Sequence, residues 1–148
     1  MAVDYDPTLL GDQNYTLGVL CSEFYNRYGE ETAEILMRIC HQRGLALGRG
    51  LDKKGEKSFE NAIKSFVAAS EKTKTPAKLV SLEKHRAVFQ GNGCPLGLND
   101  RGRMMCEMMM TLDQGIIEEA SGQKVKFKVI KTLAAGDPYC EALFELDE

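Results

Sequence analysis

Apolar side chains recur along this chain with two periods, and the change of period divides it. In "NYTLGVLCSEFYNRYG", Asn14–Gly29, Leu17, Leu20, Cys21, Phe24 and Tyr28 return at helical spacing, and Gly29 is a natural stop. A second helix is predicted in "EETAEILMRICHQRGLALG", Glu30–Gly48. Its face carries Ala33, Leu36, Met37, Cys40, Gly44 and Leu47, with glycines that permit a close approach or a break. The polar, Gly-punctuated "RGLDKKGEK" reads as a connection. A third helix follows in "SFENAIKSFVAAS", where Phe59, Ala62, Ile63 and Phe66 share a face, and Pro76 breaks the pattern beyond it.

"AKLVSLEKHRAVF", Ala77–Phe89, predicts one strand, with a bulge where its apolar positions switch face. "QGNGCPLGLND" has the Gly, Asn and Pro content of a loop, and Asn99 or Asp100 stands where a cap belongs. The fourth helix is "RGRMMCEMMMTLDQGIIEEA", closed by Ser121 and Gly122. It is apolar nearly all round from Met104 to Ile117, as a central buried helix is. Two strands end the chain: Val125, Phe127 and Val129 alternate with lysines, and Cys140, Ala142, Phe144 and Leu146 alternate with Glu141 and Glu145. A hairpin around "AAGDP" sets those lysines beside the glutamates. The expected fold is α+β: a small antiparallel sheet, one strand and then a C-terminal hairpin, against a bundle of about four helices. One small-molecule-binding domain is expected to span all 148 residues.

Composition narrows the function. With 43% apolar and 28% charged residues the chain is globular in character. A net charge of −3 without a basic block argues against nucleic acid as a partner. Neither a long apolar run nor a signal-like start is present in the acidic "MAVDYDPTLLGDQNY", so no membrane partner is expected and the cytoplasm is the expected location. Five cysteines, an odd number and widely spaced, suit reduced thiols better than a disulfide framework.

The candidate chemistry gathers near the fourth helix. Its methionines read either as core filler or as a pliable wall around an apolar ligand. Cys94 sits in a loop before that helix. There a helix dipole lowers a thiol pKa and makes a reactive thiolate, or the side chain simply anchors the loop. Asp113 is a carboxylate on a buried helix and therefore a candidate cavity-facing base or ligand anchor, and His85 is a candidate proton carrier. Cys106, Met105 and Met109 on the helix, with Cys140 and Phe144 on the hairpin's inner face, are the candidate ligand-binding residues. Cys94, Cys106 and Cys140 also form a conceivable zinc set, with His41 or His85 as fourth ligand, although spacings this wide carry little weight.

"YGEETAEILMRICHQRG", "CPLG", a cysteine and an aspartate within the central helix, and "KTLAAGDPYCEALFEL" together resemble the L-2-amino-thiazoline-4-carboxylic acid hydrolase-like family. That family is similar in layout to the 4-vinyl-reductase-type hydrocarbon-binding domains, whose fold is shared by subunits of the TRAPP vesicle-transport complex. Carried over, the pattern falls on Cys94, Cys106, Asp113, Gly136, Asp137 and Cys140. The hydrocarbon-binding relatives usually place a further cysteine where this chain has Thr132 and Leu133. The resemblance implies a pocket between helices and sheet. It also implies a hydrolase of a carbon–nitrogen bond in a thiazoline-carboxylate or cyclic amidine, with Cys94 or Cys106 as nucleophile or ligand. The alternative is a non-catalytic binding or sensor domain for a small apolar ligand or a metal. The first two helices suit a homodimer interface.

Overall fold

The structure is a computed structural model that describes residues 4–51 and 55–147. The start of the acidic N-terminal stretch and the middle of the predicted connection, residues 52–54, lie outside them. Asp12 accepts hydrogen bonds from the amides of Asn14 and Tyr15 and so caps helix α1, Gln13–Tyr28. Gly29 ends it with φ 69°, and a short 3-10 turn leads into helix α2, Ala33–Arg49. Ser58 caps helix α3, Phe59–Ser70, through the amide of Asn61.

The predicted single strand is two. Strands β1, Lys78–Leu82, and β2, Arg86–Gly91, pair antiparallel, and the amide of Glu83 donates to the carbonyl of Arg86 across the turn. Glu83, Lys84, His85 and Arg86 offer no apolar side chain to a core, so the chain reverses where the apolar face switches. A bulge is present too, between Leu79 and Ser81. Strands β3, Val125–Lys131, and β4, Cys140–Leu146, form the expected hairpin, and the sheet order is β1-β2-β4-β3. Lys126 Nζ lies 3.6 Å from Glu145 Oε1 across it.

Helix α4, Arg103–Ser121, is the central element. It starts later than expected, on Gly102 with φ 99°, and neither Asn99 nor Asp100 caps it. The amides of Asp100 and Gly102 instead bind the carbonyls of Leu133 and Ala134, which fixes the loop to the β3–β4 connection. Along the first part of α4, Met105, Met108, Met109 and Leu112 pack with Cys21 of α1 and Cys40 of α2. Towards its C-terminal end, Ile117 and Ala120 pack with Phe59 and Ile63 of α3 and with Phe89, Val125 and Phe144 of the sheet. The fold is therefore α+β, with helices packed against an antiparallel sheet. Among the described residues no helix is long and apolar enough to cross a membrane.

Glycines set the α2–α4 crossing. A Cβ on Gly44 would stand 2.0 Å from the carbonyl oxygen of Leu112, and one on Gly115 would stand 2.4 Å from that of His41. We expect Gly44→Ala to lower stability by about 3 kcal/mol or more, since the obstructing atoms are backbone. Gly11→Ala, where nothing lies within 4 Å of the added carbon, should change it by less than about 0.5 kcal/mol. Urea midpoints of the two variants check this, and equal midpoints would refute the role given to the crossing.

Candidate functional site

A cavity of about 460 Å³ lies between α4, the ends of β2 and β4, and the C-terminal halves of α2 and α3. Leu47, Phe66, Phe89, Met110, Ile116 and Ala142 give it a mostly apolar wall. Gln90, Lys131 and Glu141 add polar groups at the sheet end, where Gln90 Nε2 donates to Glu141 Oε1 at 2.6 Å. Cys94, Cys106, Asp113 and Cys140 all line it.

Each of the four is placed by a different constraint. Cys94 begins a loop pressed against α1: a Cβ on Gly18 would fall 1.9 Å from the Leu96 oxygen, and Gly97, at φ 64°, faces the ring of Tyr15. Cys106 and Asp113 stand seven residues apart on α4, two turns along one face. Cys140 opens β4, and its sulfur accepts from the amide of Leu133 at 3.5 Å. That approach depends on a tight connection. Gly136 adopts φ 86°, and Asp137 accepts from the amide of Thr132 through Oδ2 at 2.8 Å.

The electrostatics of the cavity favour neutral forms. Asp113 is enclosed by protein apart from the surface it turns into the cavity, and desolvation alone pushes its carboxyl up to about 7. Burial also pushes the Cys94 thiol up, and the nearby Cys140 and Asp113 push the same way. The amides of Leu98 and Leu96, which bond its sulfur, oppose the shift without reversing it. Burial pushes Cys106 up to about 11, against a hydrogen bond with Thr132. The expected activation of Cys94 by a helix terminus therefore fails: α4 begins at Arg103, and the amides that reach Cys94 belong to its own loop.

Not every expected residue arrives. Met109 and Phe144 line the cavity, while Met105, one turn before Met109, is 3% exposed, packs in the cluster that holds Cys21 and Cys40, and is not among the cavity-lining residues. His85 is exposed in the β1–β2 turn, at the end of β2 opposite to Gln90 and Gly91, and does not line the cavity. His41 bonds Glu118 at 2.5 Å, and Glu118 also accepts from the amide of Val125. No three His, Cys, Asp or Glu groups among the described residues stand close enough together to hold a metal ion. The proposed zinc set therefore has no geometric basis in these side chains. Sequence reading missed Thr132 as the partner of Cys106, and Met110 and Phe66 as wall. The apolar stripe of α3 signals Phe66, but nothing local signals Thr132.

No protein-family model matches the sequence, and neither does any curated protein. Solved structures do match. The fold is similar to that of a trafficking protein particle complex subunit 3 from Naegleria fowleri, solved covalently bound to palmitic acid. The two are 15% identical with a TM-score of 0.69 over 91% of this chain and 93% of that one. It is similar also to the phenol-responsive sensory domain of the transcription activator PoxR, solved with phenol, at 15% identity and a TM-score of 0.61 over 90% and 74%. A member of the H-NOX family, from work on heme distortion, matches at 11% identity and a TM-score of 0.53 over 99% and 74%. The shared property is the fold, and it agrees with the α+β layout that the resemblance to hydrocarbon-binding domains implies.

The carboxyl predicts a pH dependence. Because the folded pKa of Asp113 is raised from 3.8 to about 7, the unfolded chain releases this proton first. Stability therefore falls as pH rises from about 4 to about 7, and the full penalty stands above that. Three pH units correspond to roughly 4 kcal/mol, and solvation within the cavity reduces this to on the order of 2 kcal/mol. Asp113→Asn should raise stability by that amount at pH 8 and have little effect at pH 4. Urea unfolding at both pH values measures it, and a variant equally stable relative to the parent at each would contradict the assignment.

Proposed function

We propose that this protein is a non-catalytic small-ligand-binding domain of sensor type, whose cavity takes an apolar molecule bearing one polar group that meets Asp113. The observation that carries this reading is a single carboxyl, that of Asp113, set in a mostly apolar cavity where desolvation raises its pKa to about 7. About 460 Å³ lies within the range of small-ligand sites, ~300–1,000 Å³. The occupants of two similar folds, palmitic acid in the trafficking subunit and phenol in the PoxR domain, are apolar molecules with one polar end.

A carbon–nitrogen hydrolase asks more of the site. Nucleophilic attack needs a thiolate or an adjacent base, whereas Cys94 is pushed towards its neutral thiol, no histidine is among the cavity-lining residues, and Asp113 would have to serve both as base and as substrate anchor. The convergence of Cys94 and Asp113 suits an anchored ligand better than a reaction.

Calorimetric titration with phenol as probe tests the proposal. The parent should bind it, and Ala142→Phe, which fills the cavity, should weaken binding at least about tenfold, or 1.4 kcal/mol. Equal binding by both proteins would remove the cavity as the site. Turnover of 2-amino-thiazoline-4-carboxylate by the parent and its loss in Cys94→Ser would overturn the non-catalytic reading.

The exposed face of the first two helices supports a homodimer as the assembled form. Leu20, Phe24 and Tyr28 of α1 are 53%, 49% and 54% exposed at i, i+4 and i+8, and Ile35 and Ile39 of α2 are 49% and 56% exposed. A two-fold axis lays such a stripe on its own copy. Light scattering at micromolar concentration should report a dimer for the parent and a monomer for Phe24→Glu. A monomeric parent would end this assignment.

A further inference from the structure

Three of the cysteines line the cavity, and the other two meet in the core. Cys21 comes from α1 and Cys40 from α2, and both join the cluster that α4 fills with Met105, Met108 and Met109. The Cys40 thiol donates to Met109 Sδ at 3.8 Å, and Cys21 belongs to the same buried cluster, near enough to Cys40 for the two thiols to act on each other electrostatically. Three sulfurs from three helices thus adjoin in one dry place, where Cys21 is 6%, Cys40 2% and Met109 2% exposed. Arg43 lies three residues beyond Cys40 on the same helix, and its charge acts on that thiol. The Nε of Arg43 is buried and makes no hydrogen bond.

We propose that Cys21, Cys40 and Met109 form a binding site for a soft monovalent cation, Cu(I), held in trigonal sulfur coordination. Two thiolates and a thioether are the donor set that favours Cu(I) over harder ions, and zinc would call for four ligands drawn from thiolate, imidazole and carboxylate. Sulfurs at about 2.3 Å from a shared ion in a trigonal plane lie ~4 Å from one another. The 3.8 Å between Cys40 and Met109 already matches one edge of that triangle. Binding displaces both thiol protons to solvent, leaving one cation and two thiolates with a net single negative charge. Arg43 supplies the balancing positive charge from beside Cys40. The inference does not depend on what fills the larger cavity.

Anaerobic titration of the full chain with Cu(I), in competition with the chelator bathocuproine disulfonate, tests it. One Cu(I) per chain should resist the chelator in the parent, with X-ray absorption showing three sulfur neighbours. The triple variant Cys94→Ser/Cys106→Ser/Cys140→Ser should retain that ion, because the cavity thiols take no part. Cys40→Ser should lose it, and Met109→Leu, which conserves volume and therefore folding, should hold it at least tenfold more weakly. The proposal is overturned if the parent yields all its copper to the chelator, or if copper is lost in the triple variant. It is overturned equally if Met109→Leu, with circular dichroism like the parent's, binds copper as tightly.

Discussion

The contact between α2 and α4 at Gly44 and Gly115 is the constraint on which the rest of the molecule depends. Backbone meets backbone there, with no space for even a methyl group. Two helices that close cannot slide past one another or exchange side-chain packing, so α4 is fixed in rotation and in height. Everything α4 carries is then aimed: Cys106 and Asp113 into the cavity, Met105 toward Cys21 and Cys40, and Ile117 toward the sheet. Gly48 extends the same contact, since a Cβ there would stand 2.6 Å from the carbonyl oxygen of Ile116.

A helix held in this way can present a carboxyl to an apolar space without collapsing around it. An isolated ionised carboxylate in such a place is costly, and the rise of the Asp113 pKa is how the chain limits that cost. A residue that stability alone would replace by a neutral one instead lines the cavity between α4 and the sheet. Burial likewise pushes the thiols of Cys94 and Cys106 up.

Sulfur is divided between two environments by one helix. Cys94, Cys106 and Cys140 border a space that a ligand can fill. Cys21 and Cys40 are packed against Met109, which borders that space with one surface and the helix core with another. Methionine suits such a shared position because its thioether is both a flexible filler and a soft donor.

Elements were largely readable along the chain because each is specified by neighbours a few residues away. The spacing of Leu17, Cys21 and Phe24 marks α1, and the alternation of Val125, Phe127 and Val129 against lysines marks β3. The β1–β2 turn escaped because Glu83 to Arg86 lack a turn-forming Gly, Asn or Pro, and the reversal shows only as a change of apolar face. The amino-acid sequence by itself determined the α+β class, the buried character of α4, and Cys94, Cys106, Asp113 and Cys140 as the residues to watch. Only the tertiary structure decided that these four meet, that His85 stays outside, that Thr132 bonds Cys106, and that Cys94 is pushed up in pKa and not down. The reason is physical. A period is a local property of one segment, whereas desolvation and convergence depend on atoms that distant segments bring together, and no spacing along the chain records them.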